Sequence, residues 1–226
     1  MFSPDGQTLA SASSDTTIRI WNLVTGTEIQ TLKGHTATVN AVAFSRNNQV
    51  LASASDDGLI WLWDPRTGRK LQKLEGHRDS VSAVAFSSDD QLLASASHDE
   101  TVRLWNPHAW TELHEADGHT DWVNDVTFSG DGQLLASASS DRTVRLWNPA
   151  TGEQIQKFGG HAGWVNMVIF SHNSQLLASA DVSMVRLWNP VTGKELQRLH
   201  GHTGSINAVM FPRTTSSLRQ LHLTRQ

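Results

Sequence analysis

Histidine, serine and aspartate recur together along this 226-residue chain, and those are the three side chains of an acyl-transfer triad. Gly-His pairs stand at Gly34-His35, Gly76-His77, Gly118-His119, Gly160-His161 and Gly201-His202, spaced by 42, 42, 42 and 41 residues. Five equivalent Ser, His and Asp sets are not five hydrolase sites. Five histidines in five separate units are not a metal centre either, because zinc needs ligands converging on one point. His200-Gly201-His202 is a close pair, but no other His, Asp or Glu is obviously placed to complete it. There is no cysteine for a thiolate site or a disulfide, and no phosphate-cradling glycine loop. The residues therefore point away from an enzyme, and no cofactor or metal is expected.

What positions these residues is a repeat. Trp-Asn or Trp-Asp pairs stand at Trp21-Asn22, Trp63-Asp64, Trp105-Asn106, Trp147-Asn148 and Trp188-Asn189, with the same four spacings as the Gly-His pairs. Two markers locked to one period mean stacked supersecondary units. Within the unit from Gly76 to Gly118, Val81 to Phe86 reads as a short apolar strand and Ser87 to Asp90 as a turn. Gln91 to Ser97 is a second strand of small residues, and Thr101 to Trp105 alternates with the period of a half-buried strand. A fourth, more polar strand, such as Leu71 to Leu74, precedes the next Gly-His. Four short strands joined by turns make one antiparallel blade. No stretch has the helical period.

Composition narrows the class. A net charge of −4 gives no electrostatic footprint for nucleic acid or for an anionic membrane. No apolar run is long enough to span a bilayer, and the opening residues lack the regions of a signal peptide. A cytoplasmic location is the default expectation.

The series G-H, A-F-S and L-L-A-S-A-S-x-D-x-T-V-R-L-W-N resembles the WD-repeat β-propeller family over roughly residues 2 to 211. The near-identical copies are similar to recently amplified arrays in bacterial WD-repeat proteins and in fungal signalling ATPases of the NACHT type. The resemblance implies an all-β propeller of four-stranded antiparallel blades. It also implies a buried hydrogen-bond relay in each blade. This would join His35, Ser53, Asp57 and Trp63; His77, Ser95, Asp99 and Trp105; and His119, Ser137, Asp141 and Trp147. The fifth copy departs from the pattern, being one residue short around Asp181.

The chain opens partway through a repeat, so the first blade has three strands. Ser205 to Phe211 reads as a first strand with no blade after it. Pairing the two fragments would close a five-bladed ring within residues 1–211. His202 would then join Ser11, Asp15 and Trp21 across the seam. The competing outcome is an open arc that pairs with another chain; a monomer is the expectation. The tail, 212–226, abandons the repeat. Codons can be chosen for it such that one restored base returns F-S-P-D-D-Q-L-L-A-S-A-S-L-D-A-T. The tail thus reads as a frameshifted copy of the next blade, and is expected to be disordered.

Partner-binding candidates lie where the copies disagree. Before the first strand of each blade stand Thr38, Ser80, Trp122, Trp164 and Ser205, a region that the resemblance places on the rim of one face. Trp122 and Trp164 belong to adjacent blades, with Asp79, Asp121 and His98 as a polar surround. The alternative is that each indole packs over its own turn. Trp61, in place of an arginine, and Trp110, in place of a turn glycine, read as drift. The expected function is a non-catalytic scaffold or recognition module for a protein or peptide. The alternatives are an adapter bridging two partners, or a non-functional fragment of a longer signalling protein.

Overall fold

The computed structural model describes residues 1–206 and 208–212. The first sheet holds β1 (Thr8–Ala12), β2 (Thr17–Asn22) and β3 (Glu28–Lys33). The second holds β4 (Val39–Phe44), β5 (Leu51–Ser55), β6 (Ile60–Trp63) and β7 (Lys70–Leu74). The third holds β8 (Val81–Phe86), β9 (Leu93–Ser97), β10 (Val102–Asn106) and β11 (Thr111–Ala116). The fourth holds β12 (Val123–Phe128), β13 (Leu135–Ser139), β14 (Val144–Trp147) and β15 (Gln154–Phe158). The fifth holds β16 (Met167–Phe170), β17 (Leu177–Ala180), β18 (Met184–Trp188) and β19 (Glu195–His200). Each sheet is an up-and-down antiparallel meander, and no helix occurs among the described residues.

Burial within a blade follows from sequence. The second strands β5, β9 and β13 read Leu-Ala-Ser-Ala-Ser and are buried at every position, on both faces. Alanine and serine are small enough for neighbouring sheets to close over both faces. The fourth strands are the most exposed of each sheet, as in Lys70–Leu74, where only Leu74 is buried. Bulges interrupt β4, β8 and β12 near their starts, and separate the third strand's tryptophan from its neighbour in every blade.

The core lies between sheets rather than within them. Trp63 and Phe44 of the second blade share a cluster with Ala10, Ile18 and Leu32 of the first. Trp105 packs with Ala52, Ile60 and Leu74; Trp147 with Ala94 and Leu104; Trp188 with Ala136 and Leu146. The phenylalanines Phe44, Phe86, Phe128 and Phe170 all join these inter-blade clusters. Each blade therefore depends on its neighbour for burial.

At the seam the last described residues lie against the fifth blade. Ile206, Val209 and Phe211 pack against Ala178, Ala180, Val185 and Leu187, where the first strand of a following blade would lie. Yet no strand forms there among the described residues, and none of them makes a backbone hydrogen bond to β1. Two positions of that edge, Leu9 and Ala10, are already taken. Phe2 bridges Leu9, and Met1 and Ala10 exchange hydrogen bonds of 2.8 and 2.9 Å. Met1-Phe2 thus takes the register that Met210-Phe211 would occupy. The expectations for the tail fall on residues 213–226, outside the described residues.

Candidate functional site

The relay decides what the Ser, His and Asp sets can do. The imidazole of His119 faces Asp141 at 2.8 Å through Nδ1 and Ser137 Oγ at 2.7 Å through Nε2. Trp147 Nε1 donates to the same Ser137 Oγ at 2.8 Å. His35, Ser53, Asp57 and Trp63 form the same chain, with contacts of 2.9, 2.8 and 2.8 Å. His77, Ser95, Asp99 and Trp105 repeat it at 2.9, 2.7 and 2.9 Å. In the fifth blade Asp181 completes it despite the shorter hairpin: His161 meets Asp181 at 2.9 Å and Ser179 at 2.6 Å, and Trp188 donates to Ser179 at 2.8 Å.

The donor logic is forced. Indole can only donate and carboxylate can only accept, so the serine hydroxyl donates to imidazole Nε2, and Nδ1–H donates to aspartate. Burial holds His35, His119 and His161 below the ordinary histidine range, against the pull of their aspartates, so the rings are neutral. Burial also works against the charge on Asp57, Asp99, Asp141 and Asp181. Hydrogen bonds from the histidines and from backbone amides outweigh it and hold all four carboxyls low. Ser53, Ser95 and Ser137 are fully buried, and each oxygen already accepts an indole N–H. No substrate carbonyl can reach these hydroxyls.

The first blade keeps only part of the relay. Trp21 Nε1 donates to Ser11 at 2.9 Å, and Asp15 accepts from the Thr17 amide and hydroxyl at 3.0 and 2.6 Å. His202 is exposed and makes no hydrogen bond to Ser11 or Asp15, so the relay expected across the seam is not formed.

The variable positions meet at the seams between blades. Asp56 accepts hydrogen bonds from Asn40 of its own blade and from Ser80 of the next. One seam further on, His98 stacks on Trp122, with centroids 4.3 Å apart and planes 9° from parallel. At the next seam Asn124 Nδ2 bridges Ser140 Oγ and the carbonyl of Val165, both at 3.0 Å. Trp122 and Trp164 remain 49% and 58% exposed, so neither indole is sheathed by its own turn. Asp121 and Asp79 cap the amides of Trp122 and Ser80 at 2.8 and 2.7 Å, which fixes the loops that present this face.

Sequence reasoning passed over several residues that the structure brings to the same face. Trp164 lines an open cavity of about 240 Å³ with Arg142, Ala162, Gly163 and Val182. Arg142 and Val182 come from the hairpins between second and third strands. Their signal was available, since the copies also disagree at that offset: Thr16, Gly58, Glu100 and Arg142. The substitutions read as drift also prove to be packed. Lys70 Nζ lies over the Trp61 ring, and Trp61 sits 5.9 Å from Trp63. Trp110 holds φ at 61°, where other turns use Gly26, Gly68, Gly152 and Gly193 at 69–73°. It packs with Leu71 on the cluster between the second and third blades, and the left-handed strain is repaid by that burial.

The profile of one repeat family, the WD domain, G-beta repeat, matches residues 1–22, 26–64, 68–106, 110–148 and 152–189. No curated protein matches the chain. Repeats of this family typically mediate protein–protein contacts. Marker spacing, blade topology, the buried relay and the profile agree: the chain belongs to the WD domain, G-beta repeat family.

Proposed function

We propose that this chain is a non-catalytic interaction module that presents the Trp122 and Trp164 face to a protein or peptide partner. The observation that carries the proposal is the pair of half-exposed indoles on adjacent blades, one already stacked on His98. Exposed tryptophans are enriched among residues that dominate binding energy. His98, Asp79 and Asp121 supply the polar border. A pull-down with the full chain tests this: Trp122→Ala and Trp164→Ala together abolish partner capture, and full retention of capture moves the site elsewhere.

A second reading, an adapter bridging two partners, has one observation in its favour. The turns between first and second strands, at the opposite end of the sheets, surround a cavity of about 420 Å³. Arg46, Ser88, Gly130 and His172 line it from four successive blades, over Phe128 and Phe170.

The same reading includes ring closure. Ile206, Ala208 and Val209 supply part of the inner strand of the first blade, opposite Ser11 to Ser13, once Met210-Phe211 yields its register to Met1-Phe2. The support is that Ile206, Val209 and Phe211 already pack on the fifth blade as such a strand would.

A further inference from the structure

Two seams of the proposed docking face share one geometry and carry opposite charge. Glu100 and Arg142 hold the same hairpin position in successive blades, both in the left-handed region, at φ 71° and 68°. Trp122 and Trp164 hold the same position before the next first strand. At the outer of these two seams, Arg142 shares its cavity with Trp164 and Val182. Its guanidinium is exposed and makes no hydrogen bond or ion pair among the described residues. An unpaired guanidinium beside an open indole takes a carboxylate in bidentate fashion, while the indole and Val182 take an apolar neighbour. At the inner seam the repeat sets Glu100 where Arg142 stands, also exposed and unpaired. The stacked His98 and Trp122 rings form a plate there, with Asp121 at its base. A plate of that kind beside carboxylates suits a cationic side chain.

Resting on the reading of this face as the docking surface, we infer that the partner is a peptide segment with two charges of opposite sign. Its lysine or arginine lies at the Trp122–Glu100 seam, and its aspartate or glutamate, next to an apolar residue, lies at the Trp164–Arg142 seam. Charge complementarity fixes its direction: the basic end points toward the third blade and the acidic end toward the fifth.

The test selects a phage-displayed random dodecapeptide library on the full chain and measures synthetic peptides from the enriched clones. The expected clones pair a basic residue with a downstream or upstream acidic-apolar pair. Arg142→Glu weakens them about tenfold or more, and replacing the peptide's acid by lysine restores binding to that variant. Glu100→Arg does the same at the basic end. Both variants lie at exposed positions and melt with the wild-type chain. Binding that collapses on Trp122→Ala and Trp164→Ala but ignores both charge reversals overturns this inference and leaves the docking surface standing. Binding indifferent to the tryptophans overturns both. A chain that sediments as a dimer, dissociated by Trp164→Ala, overturns the inference in favour of a second copy as occupant. A library yielding no binder better than about 100 μM overturns it as well.

Discussion

Lys70 Nζ lies 4.4 Å from the centroid of Trp61 and 5.7 Å from that of Trp63. In the other blades that pair of positions holds an arginine and an acidic or amide partner: Arg19 with Glu28 and Arg103 with Glu112, both at 2.6 Å, Arg186 with Glu195 at 3.2 Å, and Arg145 with Gln154. The second blade has moved the cation from the third strand to the fourth and replaced an ion pair by a cation–π contact. The two changes make sense only together.

A double-mutant cycle follows from that exchange. Trp61→Arg sets two cations against each other and removes the indole from Trp63, so it lowers stability by about 1–2 kcal/mol. Lys70→Glu in the same chain rebuilds the pair of the other blades and recovers most of the loss. Urea denaturation of the four chains gives the coupling. A coupling near zero would mean that the positions vary independently.

The relays make the fold sensitive to acid. His35, His119 and His161 have depressed folded-state pKa values, so their contribution is complete above the unfolded value near 6.5. It is lost as pH falls below that value toward the folded ones. The depressed aspartates add a second loss below their unfolded value near 3.8. Ser137→Ala strands the Trp147 indole N–H and His119 Nε2, at a cost of about 1–3 kcal/mol. Melting temperatures from pH 8 down to about pH 2 check the acid losses, and a Ser137→Ala variant as stable as wild type refutes the relay's structural role.

Asp125 gives a slope of the opposite sign. It stands where Ala41 and Ala83 stand in earlier blades, at the bulge of β12, and accepts the amides of Val126 and Val168 at 2.9 and 3.0 Å. Burial pushes its carboxyl up to about 7, against the pull of those two amides. A raised folded pKa means a contribution complete below about 3.8 and lost as pH rises through about 7. Asp125→Asn removes the charge, although its single carbonyl oxygen keeps only one of the two amide donors, and so improves stability relative to the parent chain at pH 8 over pH 4 by about 1–2 kcal/mol. At pH 4 the variant gains nothing. Equal gains at both values of pH would show that charge is not the cause.

Closure of the ring has a direct chemical check. By analogy with the pairing of Ala41 and Ala54 in the second blade, Ala208 meets Ala12 when the last strand completes the first sheet. The chain has no cysteine, so Ala12→Cys with Ala208→Cys introduces its only two thiols. Oxidation yields a monomeric disulfide if the ring closes on itself. A covalent dimer, or persistent free thiols, rejects intramolecular closure.

The period made the blades legible, because strand patterns and turn residues recur with it. Val81–Phe86 lies where the short apolar run placed it, and the three fully implied relays form with the partners assigned from the family resemblance. What stayed hidden depends on register or on contact between copies. The Lys70–Trp61 exchange is invisible until a bulge sets Trp63 opposite Lys70. Arg142 and Trp164 are 22 residues apart in different blades, and nothing local shows that they share a cavity. By the period Met1-Phe2 stands where a first strand would end, but two residues are too short to show that they pair, as they do.

The placement of apolar clusters between sheets reaches beyond stability. Leu51–Ser55, Leu93–Ser97 and Leu135–Ser139 are the same five residues, so these three units present one common second strand to their neighbours. Copies can then be exchanged or duplicated as cassettes, carrying their rim loops with them. New recognition surfaces arise by shuffling whole units, with no fresh solution needed for the interior.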